Sequence, residues 1–332
     1  MPIFSLRYDL RCPAFGDATS ERLFRAALDQ CEWADVRGFA AVILSEHHGS
    51  PDGYLPSPLV FAAAIAARTQ RLRITIAALI APLHDPVRIA EDLAVVDVLS
   101  GGRLVPVLSG GYVPSEFESL GRRLADRAQR MEEIAGFLEQ AWSGEPFEWR
   151  GRRIRVTPRP VQRPRPPILF GGSSRMAARR AARLADGFLP SLPELHELYR
   201  EECRRLGRPD PGALPPAFGA GFLHLAEDPA AAWRQIAPHA LHENNAYARW
   251  IEATGGSGPY LRAESADELR RSGRYLVLTP EELVDRLRAL APATAVTLHP
   301  LMGGLDPDLA WESLHLLESR VLPAVERPRS HT

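Results

Sequence analysis

The residues best suited to chemistry in this chain stand just past the ends of apolar runs. Residues 40–45 (AAVILS) lead into Glu46, His47 and His48. Imidazole exchanges a proton near neutral pH, so this pair is a candidate for general acid–base work, with packing in a surface loop as the alternative. For Glu46 the competing role is a salt bridge to an arginine in the same mouth. Residues 72–80 (LRITIAALI) end in Ala81, Pro82, Leu83, His84 and Asp85, and residues 103–109 (RLVPVLS) lead into Gly110, Gly111 and Tyr112. His84 and Asp85 suit salt bridging and helix capping. After the run at 168–170 come Gly171, Gly172, Ser173, Ser174 and Arg175, then a helical stretch. Free amides at a helix start, hydroxyl donors and a guanidinium fork are what a phosphate group needs; the same residues also suit a simple capping turn. Finally, His239, His242 and Glu243 place two imidazoles and a carboxylate on adjacent helix faces. Neither HExxH nor HxxEH is spelled, so a substrate-pocket or structural role is expected rather than a metal site.

These groups need a scaffold that brings several loops to one place. Their strands are too continuously apolar to have a wet face, as expected of parallel strands covered by helices. Asp85 before Pro86 caps a helix that Gly101 and Gly102 close. Further helices are expected at 21–36, 59–69, 121–142, 176–185, through Arg205, and at 309–321; further strands at 3–8, 187–190, 218–225 and 295–299. An arginine- and proline-rich excursion at 145–167 allows a hairpin around Arg150 and Gly151. About eight strands alternate with helices, which predicts a (β/α)8 TIM barrel with sites at the carboxyl ends of its strands. Residues 228–279 are expected as a helical and loop insertion before the last strand, 1–325 as one domain, and 326–332 as a disordered tail. A doubly wound open sheet is the alternative, but no GxGxxG follows the first strand.

All 40 basic residues are arginine. Without lysine there is no Schiff base and no GxxxxGK[ST] phosphate loop. A formal net charge of -1 gives no electrostatic case for nucleic acid or anionic membranes. Cys12, Cys31 and Cys203 form no CxxC, which fits a reducing cytoplasm, and no signal-like or membrane-spanning segment is read.

SEHHG at 45–49, HDPVRIAEDLAVVDVLSGGR at 84–103, SGGYVPSEFESLG at 109–121 and ILFGGSSRMAARRAARLADGF at 168–188 together resemble the bacterial luciferase-like flavin-dependent oxidoreductases. The resemblance covers most of residues 1–225. The region after Asp228 resembles that family's variable insertion, where substrate selection lies. The resemblance implies reduced FMN or, in one branch, reduced coenzyme F-420, a deazaflavin. The FMN branch oxygenates a small organic substrate with dioxygen and takes its reduced flavin from a separate reductase; the F-420 branch mostly transfers hydride. A homodimer is also implied. His47 matches the histidine that lies beside the flavin as a base. Ala77 and Ala78 match a non-prolyl cis peptide against the ring, with an ordinary strand as the alternative. Ser109, Gly110, Gly111 and Tyr112 match a segment whose backbone approaches the ring, or they form a plain turn. Luciferases carry a phosphate-binding arginine where this chain has Gly110, so Arg175 or helix amides would take its place. Two other readings are a flavin-binding protein without activity and a metal-dependent barrel hydrolase.

Overall fold

The computed structural model describes residues 1–255 and 258–326. Apart from Glu326, the expected tail lies outside them.

The strands are β1 (Ile3–Tyr8), β2 (Ala41–Leu44), β3 (Arg73–Ile80), β4 (Leu104–Ser109), β5 (Phe147–Trp149), β6 (Arg152–Ile154), β7 (Leu169–Gly172), β8 (Gly187–Pro190), β9 (Phe222–Leu225), β10 (Tyr275–Leu278) and β11 (Ala295–Leu298). Seven of them form one curled parallel sheet in the order β11-β1-β2-β3-β4-β7-β8. Alternation along each strand separates two faces. On β1, Leu6 and Tyr8 are fully buried, whereas Ser5 and Arg7 are partly open. Paired residues carry this across the sheet: Arg7 stands beside Ile43, Ile43 beside Thr75, and Thr75 beside Val105, all partly open. This concave row marks the interior of the curl.

The helices are α1 (Ser20–Val36), α2 (Pro58–Arg68), α3 (Pro86–Ser100), α4 (Pro114–Ser119), α5 (Arg127–Ala141), α6 (Arg175–Leu184), α7 (Leu195–Arg205), α8 (Pro229–Ala253), α9 (Ala266–Arg271), α10 (Pro280–Arg288), α11 (Pro307–Leu316) and α12 (Leu322–Glu326). Capping follows the residues expected: the Asp85 carboxylate accepts from the Val87 and Arg88 amides, and Gly101 ends α3 in the left-handed conformation at φ 64°.

Three features differ from the expectation. The ladder joins seven strands rather than eight, because β9 pairs in parallel with β10 and not with β8 or β11. That partner, β10, lies inside the segment expected to hold only helices and loops. Its apolar core, YLVL, is too short for periodicity to distinguish a strand from a buried helical turn. The helix expected over 121–142 begins only at Arg127, because Gly121 adopts φ 63°, and a separate short helix, α4, precedes it. The hairpin does form, with Arg150 at φ 49° and Gly151 at φ 72° in its turn.

Candidate active site

His47 follows β2 at the carboxyl edge of the sheet and is almost fully buried, yet its ring has two different sides. Nδ1 lies 2.7 Å from Glu116 Oε1, and the same oxygen accepts from the His48 amide at 2.9 Å. An ionised carboxylate only accepts, so the proton belongs on Nδ1 and Nε2 keeps its lone pair. Nε2 has no hydrogen-bond partner among the described residues. The ring stacks on Trp250 at 4.2 Å between centroids and meets Tyr54 edge-on at 4.8 Å and Tyr112 at 5.7 Å. Such a box fixes the plane of the imidazole and limits its hydration. The result is an oriented imidazole with Nδ1 tied to Glu116 and Nε2 left without a partner.

Glu46 points elsewhere. Its Oε1 receives His48 Nε2 at 3.0 Å and His84 Nε2 at 2.8 Å, and its Oε2 receives the Ile80 amide. The salt bridge to an arginine expected for Glu46 is not formed; histidines take that place, because the loops after β2 and β3 bring His48 and His84 to the same carboxylate. Burial alone would raise the Glu46 pKa, but the hydrogen bonds from His48 and His84 outweigh it and bring it down to about 2. For His48, burial acts to lower the pKa, and the bond and charge of Glu46 raise it on balance. Glu46 is thus a permanent anion tying β2 to β3.

The small residues line the same edge. Ser45 Oγ donates to the Ala77 carbonyl at 3.2 Å, and the Ala77–Ala78 peptide is cis. The glycines divide by cause. A Cβ on Gly111, which sits at φ 69°, would lie 2.6 Å from Ile80 Cγ2, and one on Gly172 would lie 2.5 Å from Ala177 Cβ; packing accounts for both. Gly110 is different: its nearest neighbours would be Arg127 and Met131 atoms at 3.9 Å, leaving room beside Ser109. Gly171 is packed too: an added Cβ would lie 3.3 Å from Val107 Cγ1 and 3.7 Å from the Ala78 methyl. Ser174 Oγ caps α6 by accepting from the Ala177 amide at 3.2 Å. Ser173 and Arg175 are exposed at the same helix start, and Arg175 has no ion pair among the described residues.

The residues on α8 diverge. His239 Nδ1 donates to the Gly303 carbonyl at 2.8 Å; His242 Nε2 lies 2.8 Å from Asp52 Oδ2; and Glu243 Oε2 accepts from Tyr275 Oη at 2.7 Å. They do not meet on one ligand. His242 and Glu243 instead enter a buried ionic cluster, in which Arg11 pairs with Asp9 and Asp52, while His299 lies 3.5 Å from Asp9 through Nε2 and 3.5 Å from Glu243 through Nδ1. Asp9, Glu243 and His299 come within 4.8 Å of one another, but the carboxylates address opposite nitrogens of one ring. That suits an imidazolium between two anions, not three ligands on one ion.

With this geometry in view, the relatives are informative. The sequence matches the family described as luciferase-like monooxygenase over residues 11–297. The chain belongs to that family. The FMNH(2)-dependent dimethylsulfone monooxygenase of Pseudomonas fluorescens (strain Pf0-1) is 33% identical over 288 residues, covering 80% of this chain and 77% of that protein. Other curated relatives match over a shorter span: the chain covers 48%, 48% and 43% of three of them, about half their length. Among solved structures, the oxygenating constituent of 3,6-diketocamphane monooxygenase from Pseudomonas putida, in complex with FMN, superposes with a TM-score of 0.72 at 17% identity, covering 98% of each chain. An F420-dependent secondary alcohol dehydrogenase reaches 0.65 at 15% identity, covering 98% of this chain and 99% of that one.

Within this luciferase-like chain, sequence reasoning reached His47 but missed what holds it. Glu116 sits on a short helix 69 residues away, and no local pattern announces such a pairing. Trp250, which stacks on His47, is a wall of the site rather than core. Tyr54 and Tyr247 were missed too; their hydroxyls meet at 2.9 Å, and nothing but the density of aromatics near them signals it.

Proposed function

We propose that this chain is an FMN-dependent monooxygenase that oxygenates a small organic molecule with dioxygen, working at the mouth of a (β/α)8 barrel in which β9 and β10 complete the wall. The observation that carries the reading is His47: one nitrogen tied to Glu116, the other free in an aromatic box, beside the edge formed by Ala77 and Ala78. The residues present suit a flat tricycle. Ala77, Ala78 and Gly110 leave a shelf without bulky side chains, and Ser173, Arg175 and the amides of α6 offer a phosphate the positive end of a helix. Bound there, reduced flavin supplies the two electrons with which dioxygen is activated.

The chain's own groups then have distinct tasks. His47 Nε2 takes a proton from the reacting group and returns it. Glu116 keeps Nδ1 protonated and stabilises the imidazolium while it lasts. Trp250, Tyr54 and Tyr112 restrict water around that nitrogen. Glu46 and His48 hold the loop, and Ser109, Gly111 and Tyr112 form the turn after β4 that would border the flavin. His239, His242 and Glu243 fasten α8, which carries the pocket wall, rather than touching substrate themselves.

A second reading, hydride transfer with reduced F-420, is favoured by one feature: Gly110 stands where luciferases carry a phosphate-binding arginine. Anaerobic titration with reduced FMN and, separately, reduced F-420 decides between them. Tight binding of FMN alone is expected; binding of F-420 alone, or of neither, sinks the proposal. The chemistry also calls for a separate flavin reductase to supply the reduced FMN. A homodimer is supported by Val60 on α2 and Leu99 on α3, which are 73% and 51% exposed. Sedimentation checks it. No helix among the described residues is long and apolar enough to cross a membrane.

A further inference from the structure

We infer that Arg7 recognises an anionic group on the substrate, and that the substrate is a planar conjugated acid, carrying a carboxylate or ionised phenol on an aromatic framework. This rests on reading the mouth as an oxygenase pocket and says what that pocket selects.

Arg7 projects from β1 into the concave row Arg7–Ile43–Thr75–Val105, where it is the single charged residue. Ala77 stands one row above Thr75 on β3, so Arg7 lies about 10 Å from that strand, across two strand spacings. This is within reach of a ligand seated against Ala77. Arg7 is only partly buried and makes no ion pair among the described residues. Nη2 donates to Tyr247 Oη at 2.9 Å and Nη1 to Tyr260 Oη at 3.5 Å. A guanidinium has five N–H donors, so most of the fork stays unused.

The neighbouring carboxylates are committed elsewhere. Asp9 and Asp52 hold Arg11, Asp52 also holds His242, and Glu243 faces His299 and Tyr275. Burial opposes the charge on Arg7, while Tyr260, Tyr247 and Glu243 favour it, and Glu243 makes no ion pair with Arg7. The surfaces flanking Arg7 are flat and aromatic. Tyr247 and Tyr260 stack at 4.4 Å with 19° between planes, and Tyr247 also meets His47 edge-on at 6.1 Å. A cation beside aromatic walls, with the free His47 nitrogen beyond Tyr247, complements a flat ring bearing an oxyanion at one end and its reacting carbon near His47.

The test is calorimetric titration of flavin-free protein with 2-naphthoate and with its neutral isostere 2-naphthamide. The wild-type protein should bind the carboxylate at least about tenfold more tightly, as a charge-assisted hydrogen bond implies. In Arg7→Met the two affinities should converge, with that for the amide little changed; Arg7→Lys should keep part of the preference. Equal wild-type affinities, binding of neither probe, or a preference that survives Arg7→Met overturns the inference. The wild-type ratio needs no variant, so it stands even if Arg7→Met does not fold. Loss of reduced-FMN affinity in Arg7→Met with the probe preference intact would assign Arg7 to the flavin and also overturn it. Because the probes are titrated without flavin, their failure leaves the FMN reading standing, and failure to bind reduced FMN leaves the probe result standing.

Discussion

Two clusters of histidine and carboxylate share this mouth, and they are built in opposite ways. At the end of β2, His47 gives one nitrogen to Glu116 and leaves the other without a hydrogen-bond partner among the described residues. Beneath α8, His299 has an anion at both nitrogens, and Asp9, Asp52 and Glu243 are matched by Arg11, His242 and His299. Burial alone would push His299 toward the neutral form, but Asp9 and Glu243 raise its pKa on balance, and Asp9 is correspondingly held below the usual carboxylate range. On the proposed reading, the same residue types serve reaction in one cluster and architecture in the other. What separates them is a ring nitrogen left without a partner.

That contrast predicts a division between rate and stability. The largest effect is expected for His47→Ala: removal of a positioned base should slow the single-turnover rate by about 100- to 10,000-fold while reduced-FMN affinity changes little. Rapid mixing of pre-reduced protein with oxygen and substrate reads this, and an unaltered rate would merge the two clusters into one structural class. Next is Asp9→Asn, which strips a buried cation pair of its anion. It should lower the free energy of unfolding in urea by about 3–5 kcal/mol, with turnover per folded molecule nearly unchanged. A neutral stability result would show the ionic cluster to be dispensable.

The two clusters were not equally legible in the sequence. His47 was visible because it follows a continuous apolar strand, and parallel β/α units put their chemistry there. The spans of β1 and α3 were legible for similar reasons: clean alternation of neighbours on one, and Asp85, Pro86 and Gly101 on the other. Long-range partners were not. Arg11 meets Asp52, 41 residues on, and His242 reaches Asp52 across 190, so the cluster exists only once the sheet has curled. His239, His242 and Glu243 looked like one site because they share a helix. In three dimensions their faces send them to a backbone carbonyl, to Asp52 and to Tyr275. The short strand β10 was hidden because four apolar residues carry too little periodicity to declare a structure.

A smaller effect sharpens the reactive side. Glu116→Gln keeps the volume beside His47 but replaces a charge-assisted bond with a neutral one. It should cost about tenfold in single-turnover rate, since the difference between such bonds is about 1–2 kcal/mol. The rate of Glu116→Gln should fall without the loss of urea stability expected for Asp9→Asn. If stability falls instead, Glu116 belongs with the architectural group.

The smallest effect concerns His48, which stands between the two behaviours: partly exposed, yet bonded to a buried anion. Glu46, with its pKa near 2, stays ionised throughout the neutral range, and Glu116 and His84 are the other ionisable groups facing the pair. The folded state raises the His48 pKa above its ordinary value of about 6.5, so protonated His48 stabilises the fold fully below that pH. The contribution is lost as pH rises through the raised value. The urea midpoint of the wild type should therefore exceed that of His48→Gln by more at pH 6 than at pH 9, the gap shrinking by about 1 kcal/mol or less because the site is partly hydrated. A gap that widens with pH would mean that neutral His48 is the stabilising form. Glu46 would then be serving His84 alone, and His48 would join His47 as a nitrogen left free for the reaction.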